Sequence, residues 1–187
     1  MEQEQQNKYV TPDQVRTLTG PTEKFLCSLK ENNFDIRFGA FRIRDMVSGA
    51  VLVDVQEEDL DLNITEEMDD PKIRLVKYHF GPDFFMLSTI GLKVEFKVGE
   101  KPVPNLLMIE RHYFRNRVIK EYEFKFGFCI PNSQNEFEMI YDLPQLSDDE
   151  KQEMIDNPWE TKSDTFFFVD NQLVIHNRAE YNYAPLE

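Results

Sequence analysis

From Phe34 onward, apolar and polar residues alternate with a period of two, the spacing of a half-buried β-strand. Phe34, Ile36, Phe38 and Ala40 share one parity, while Phe41 and Ile43 continue apolar on the other. A slip of one residue inside a strand predicts a β-bulge. Val51, Val53 and Val55 give the next strand. Strand patterns return over 73–80 and 84–88, and Leu92, Val94, Phe96 and Val98 alternate against Lys93, Glu95 and Lys97. Gly99-Glu100-Lys101-Pro102 reads as a hairpin turn. Two long strands come next, over 108–118 and 120–130; in the second, Tyr122, Phe124, Phe126 and Phe128 share a face. After a turn at Pro131-Asn132-Ser133, Phe137, Met139, Tyr141 and Leu143 alternate again. The last two strands, 165–169 and 173–183, are joined by a turn at Asp170-Asn171.

Two short helices interrupt this pattern. Thr11 precedes Pro12 and stands three residues before Gln14, a capping box with proline in the first helical turn. Val15 and Leu18 would face inward, and Gly20-Pro21 would end the helix. Ser147 and Glu150 make a second capping box, with Met154 and Ile155 as the apolar contacts and Pro158 as the stop. About nine strands and two minor helices predict an all-β fold, an antiparallel β-sandwich. It is read as one domain over 11–187, preceded by a disordered N-terminus over 1–10. Residues 57–70 hold eight acidic residues and no Lys or Arg, which predicts a solvated acidic loop. They lack the spacing and central glycine of an EF-hand loop.

Composition narrows the function. The 187 residues carry 21 Lys+Arg against 35 Asp+Glu, a net charge of −14, which excludes a protein built to neutralise nucleic-acid phosphates. The same balance disfavours docking on anionic lipid and stable membrane insertion, and no apolar run is long enough for a signal peptide or a spanning helix. The expected location is cytoplasmic. Cys27 and Cys129 sit in apolar surroundings far apart in sequence and read as free thiols of a reducing compartment.

Catalytic and metal signatures are missing. His79, His112 and His176 form no zinc motif, and no nucleophile-elbow, Walker or dinucleotide pattern occurs. No cofactor or metal is expected. A Cys129–His112 nucleophile pair is conceivable, but apolar flanks make Cys129 a core residue rather than a catalyst. The unusual feature is aromatic weight: 16 Phe among 13% aromatic residues. Such rings either fill the sandwich core or prop it open around an apolar cavity, which would suit a ligand. Glu110 shares the parity of Met108, His112 and Phe114, so it either points inward as a polar anchor or lies on an exposed edge.

The segments Met108-Ile109-Glu110-Arg111-His112-Tyr113-Phe114-Arg115, Phe126-Gly127-Phe128-Cys129-Ile130-Pro131, Phe168-Val169-Asp170-Asn171 and Ile175-His176-Asn177 resemble the Unc-one-nineteen ("uncoordinated") family. Its members are relatives of the phosphodiesterase delta subunit and the Rho GDP-dissociation inhibitor. The resemblance runs from Thr11 to Tyr183 and implies an immunoglobulin-like sandwich with an apolar cavity between the sheets. It implies a carrier, not an enzyme, that binds N-myristoylated proteins, such as G-protein alpha subunits or ciliary proteins. Release would come from a GTP-bound Arf-like small GTPase, and enrichment at a cilium or flagellum is implied as well. By motif, Phe38, Tyr78, Phe84, Tyr122, Tyr141, Phe167 and Tyr181 would surround the acyl chain and first peptide bonds. Glu110 and Thr165 would sit near the cargo's N-terminal residues. Phe167, Tyr122 and Leu143 depart from the family's usual residues there, which bears on chain-length preference. The alternative is a lipid-independent adaptor that binds peptides or a GTPase through the sandwich edges.

Overall fold

The computed structural model describes residues 9–57 and 74–186. Apart from Glu57, the acidic loop lies outside them, as does most of the N-terminal segment.

Helix α1 spans Pro12–Arg16 and begins with the expected capping box: the Thr11 side chain accepts from Gln14 N–H, and Gln14 Oε1 accepts from Thr11 N–H at 2.9 Å. The strands are β1 (Arg37–Asp45), β2 (Val51–Val55), β3 (Leu75–His79), β4 (Thr89–Lys97) and β5 (Val103–Phe114), followed by β6 (Arg117–Cys129) and β7 (Gln134–Asp142). Helix α2 (Asp148–Asp156) then leads to β8 (Thr161–Val169) and β9 (Gln172–Asn182). They form two sheets, ordered β2-β1-β4-β7 and β3-β9-β8-β5-β6. The sandwich and its two short helices therefore stand as expected.

The slip after Ala40 is a bulge. Phe38 pairs with Phe96 and Phe41 with Val94, so three steps on β1 oppose two on β4. This keeps Phe38 before it and Phe41 and Ile43 after it facing the other sheet.

Four details differ from the pattern reading. Strand β3 pairs with β9 in parallel, Tyr78 opposite Tyr181, so the second sheet is mixed. A parallel neighbour is set by a long crossover, which alternation cannot reveal. Residues Pro82–Met86 form a 3₁₀ turn rather than a strand, started by Gly81 at φ 75° and Pro82. The β5–β6 turn falls at Arg115-Asn116, not near residue 119: Arg115 takes φ 53°, and its side chain is held by Glu160 and Glu153. Lastly, β6 is bulged near Gly127. Leu106 pairs with Gly127 but Leu107 with Lys125, and Gly127 adopts φ 77°, which favours glycine. The bulge reverses the parity of the last residues of β6, so Phe128 points out at 62% exposure and Cys129 points in.

Candidate ligand-binding site

Each sheet turns apolar side chains toward the other, but the space between them is not filled. A cavity of about 400 Å³ runs between the sheets, within the range of small-molecule sites. Near the Phe38 end its wall is aliphatic and aromatic: Phe38, Val94, Met108, Met139 and Phe167. Phe38 and Phe167 face each other across the sandwich with ring centroids 4.6 Å apart. At the opposite end, the 3₁₀ turn (Phe84, Phe85), the segment after β7 (Leu143, Pro144, Leu146) and α2 (Lys151, Met154) form a rim. Ser147 fixes α2 there, its hydroxyl accepting from Glu150 N–H while Glu150 accepts from Ser147 N–H. That backbone bond, with help from Arg117, holds the Glu150 carboxyl down at about 2.

The structure brings all nine residues singled out in the sequence to this one cavity. Phe38 comes from β1, Tyr78 from β3, Phe84 from the 3₁₀ turn, Glu110 from β5, and Tyr122 from β6. Tyr141 comes from β7, Thr165 and Phe167 from β8, and Tyr181 from β9. Of the two readings of Glu110, the inward one holds: it is 8% exposed. A carboxylate there needs partners. Tyr141 O–H donates to Glu110 Oε2 at 3.0 Å, and His112 Nε2 lies 2.6 Å from Oε1. Nearby, Tyr122 O–H donates to the Asp142 carbonyl at 2.9 Å, and Tyr181 and Ser163 hydroxyls are 2.9 Å apart.

Burial, and secondarily the Glu110 charge, push the Tyr78, Tyr122, Tyr141 and Tyr181 phenols above their ordinary range. They stay protonated, and Tyr122 and Tyr141 serve as donors. The cavity thus offers an apolar length followed by one polar station around the Glu110 carboxylate.

Sequence reasoning missed His112, Ser163, Lys120 and Lys151 as lining residues. His112 and Lys120 had a signal, since they share the parity of Glu110 and Tyr122. Lys151 had none, because its place depends on where α2 docks.

The conceivable Cys129–His112 pair is not assembled. Cys129 pairs with Val103 and His112 with Lys120, nine residues along β5 and so about 30 Å apart. Burial raises the Cys129 thiol, which leaves it a poor nucleophile. Cys27 and Cys129 are not joined in a disulfide. Among the described residues no His/Cys/Asp/Glu group could hold a metal, and no helix is long and apolar enough to cross a membrane.

A two-sheet sandwich enclosing an apolar slot with a rimmed mouth defines a class: β-sandwich proteins that hold an apolar ligand inside. Similarity to known proteins makes the class specific. Residues 30–183 match the model of the family described as GMP-PDE, delta subunit. Protein unc-119 of Caenorhabditis briggsae is 47% identical over 174 residues, covering 93% of this chain and 80% of the relative. Protein unc-119 homolog B of Homo sapiens is 47% identical over 181 residues, covering 93% and 72%. Protein unc-119 homolog of Drosophila melanogaster is 44% identical over 192 residues, covering 93% and 72%. The chain belongs to the unc-119 family, within the GMP-PDE delta-subunit fold family. That family is one of lipid-binding carriers.

Proposed function

We propose that the protein carries N-myristoylated protein termini in the cytoplasm, with the acyl chain in the cavity and the first peptide bonds at Glu110 and Tyr141. The observation that carries this reading is the sequence of surfaces inside one cavity, apolar rings first and a buried hydrogen-bonding carboxylate after them. Energetics agree. A myristoyl chain alone binds membranes at roughly 10⁴ M⁻¹. Burying about ten of its methylenes in a dry cavity offers a gross gain of about 8 kcal/mol, from which ordering costs are subtracted. The remainder competes with the bilayer. The cargo's first amide N–H finds an acceptor in Glu110, and Thr165, beside it on β8, adds a hydroxyl.

Delivery, to membranes or a cilium, requires release. The reading assigns it to an Arf-like GTPase in its GTP form, whose binding and cargo binding must weaken each other by the same factor. Stopped-flow release of labelled peptide, with the GTPase loaded with GTP analogue or GDP, tests this step.

The decisive experiment is titration with a fluorescent myristoylated peptide beside its unacylated twin. Only the acylated peptide should bind, and Phe84→Asp, which sets a charge in the wall near the mouth, should abolish binding in a folded protein. Equal affinity for the two peptides would replace the carrier by a lipid-independent adaptor.

A further inference from the structure

Charge is ordered along the cavity. The β5–β6 register pairs Met108 with Phe124, Glu110 with Tyr122, His112 with Lys120, and Phe114 with Arg117 beside the turn. Lys120 therefore lies two residues nearer the mouth than Glu110, about 7 Å along the strands. It shares the parity of Tyr122, and its Nζ lies 5.6 Å from that ring's centroid, so the ammonium is on the cavity side of β6.

Lys120 is unusual in this chain. The chain has 35 acidic residues to 21 basic ones, and five of the ten described lysines meet a carboxylate. Lys24, Lys30, Lys101 and Lys125 have no ion pair but are exposed to water. Among the described residues, Lys120 is the one half-buried lysine with no carboxylate in ion-pair range. A partly desolvated ammonium without a counter-charge is unfavourable. Across the rim, Lys151 of α2 meets only the fully exposed Asp148, at 3.5 Å. Arg178 also borders the cavity, but its Nε is directed to Asp164 at 3.6 Å and its guanidinium stands over Phe25 on the outer face. Two cations are left facing the mouth.

We propose that Lys120 and Lys151 form a carboxylate receptor at the mouth, selecting acylated peptides with an acidic side chain two residues beyond the acylated one. The inference rests on the reading that the cavity takes an acylated terminus. With the first amide at Glu110, an extended peptide advancing about 3.4 Å per residue brings its third residue level with Lys120. Glu110 repels a carboxylate placed any deeper, so the anion is admitted at the rim and nowhere further in.

The test uses the full chain and three fluorescent myristoylated peptides identical but for Glu, Gln or Lys at the third residue. The Glu peptide should bind about tenfold more tightly than the Lys peptide, with Gln between them. The spread should shrink as salt rises from about 50 to about 500 mM. In Lys120→Met/Lys151→Met the Glu-to-Lys affinity ratio should fall to about one, and Lys120→Glu should reverse the order. Equal binding of all three peptides to the wild-type protein overturns the receptor and leaves the acyl reading standing. Free myristate that binds more tightly than the Glu peptide, and loses its advantage in Lys120→Met, also overturns it by assigning the rim to the fatty-acid carboxylate. If no acylated peptide binds, both readings fall.

Discussion

The central strands β9, β8 and β5 of the second sheet are buried on both faces, and the two are buried in opposite ways. On the outer face, Ile109, Phe166, Phe168 and Leu173 pack under the N-terminal segment through Val15, Leu18 and Leu26. That segment is pinned by a buried polar cluster. Asp164 accepts from Thr22 N–H at 2.8 Å and from the Thr22 hydroxyl at 2.7 Å, and faces His176 Nε2 at 3.0 Å. His176 Nδ1 accepts from Leu26 N–H at 2.9 Å, and Arg111 donates to the Leu18 carbonyl at 2.7 Å. The inner face, one residue away along each strand, borders the cavity. Two sheets joined by bulky rings cannot approach fully, whereas one flexible segment can mould itself to a sheet. The same aromatic composition is thus solid on one side and hollow on the other.

The harshest way to break this contrast is at the outer cluster. Asp164→Ala leaves Thr22, His176 and Arg178 without their buried acceptor and should cost about 3–5 kcal/mol in urea denaturation. A loss under about 1 kcal/mol would mean the strap is held by apolar packing alone.

Neighbouring phenylalanines sharpen the comparison. Phe166 is 0% exposed in the filled face, and its truncation to Ala should cost about 3–5 kcal/mol. Phe167→Ala, whose ring already borders empty space, forfeits fewer contacts and should cost about 1–2 kcal/mol. Equal denaturation midpoints for the two variants would contradict a hollow inner face.

The outer cluster should also respond to pH. Burial, together with Arg178 and Arg74, lowers His176 below its ordinary 6.5, more than Asp164 raises it. Folding therefore favours the neutral ring, as Leu26 N–H donating to Nδ1 requires. The unfolded chain binds the proton first, so this contribution is complete above pH 6.5 and is lost as pH falls below it. The loss reaches at most about 1.4 kcal/mol per pH unit, and His176→Phe should flatten that part of the stability–pH curve. An unchanged curve would show that another group titrates there.

The smallest effect belongs to the mouth. Ser147→Ala removes the cap of α2 and should cost about 1 kcal/mol in thermal unfolding, because the helix is short and its first turn exposed.

Much of this molecule is written locally. Period-two alternation placed most strands, two capping boxes placed both helices, and the slip at Ala40 marked the β1 bulge, since each depends on a few adjacent residues. The local grammar failed where conformation answers to distant partners. The parallel β3–β9 pairing comes from a crossover, the Arg115-Asn116 turn from a clasp by Glu153 and Glu160, and the inversion of Phe128 from a bulge that parity counting passed over.

The candidate site divides along the same line. By itself the sequence determined that rings and Glu110 share a parity, and its motifs singled out nine residues that line one cavity, because side-chain direction along a strand is a local property. Only the tertiary structure decided that a cavity lies between the rings, that Glu110 meets Tyr141 and His112, and that Lys120 and Lys151 line the same cavity. Whether a face is filled, lined or solvated depends on what packs opposite it, and that distance between sheets is set by the whole fold.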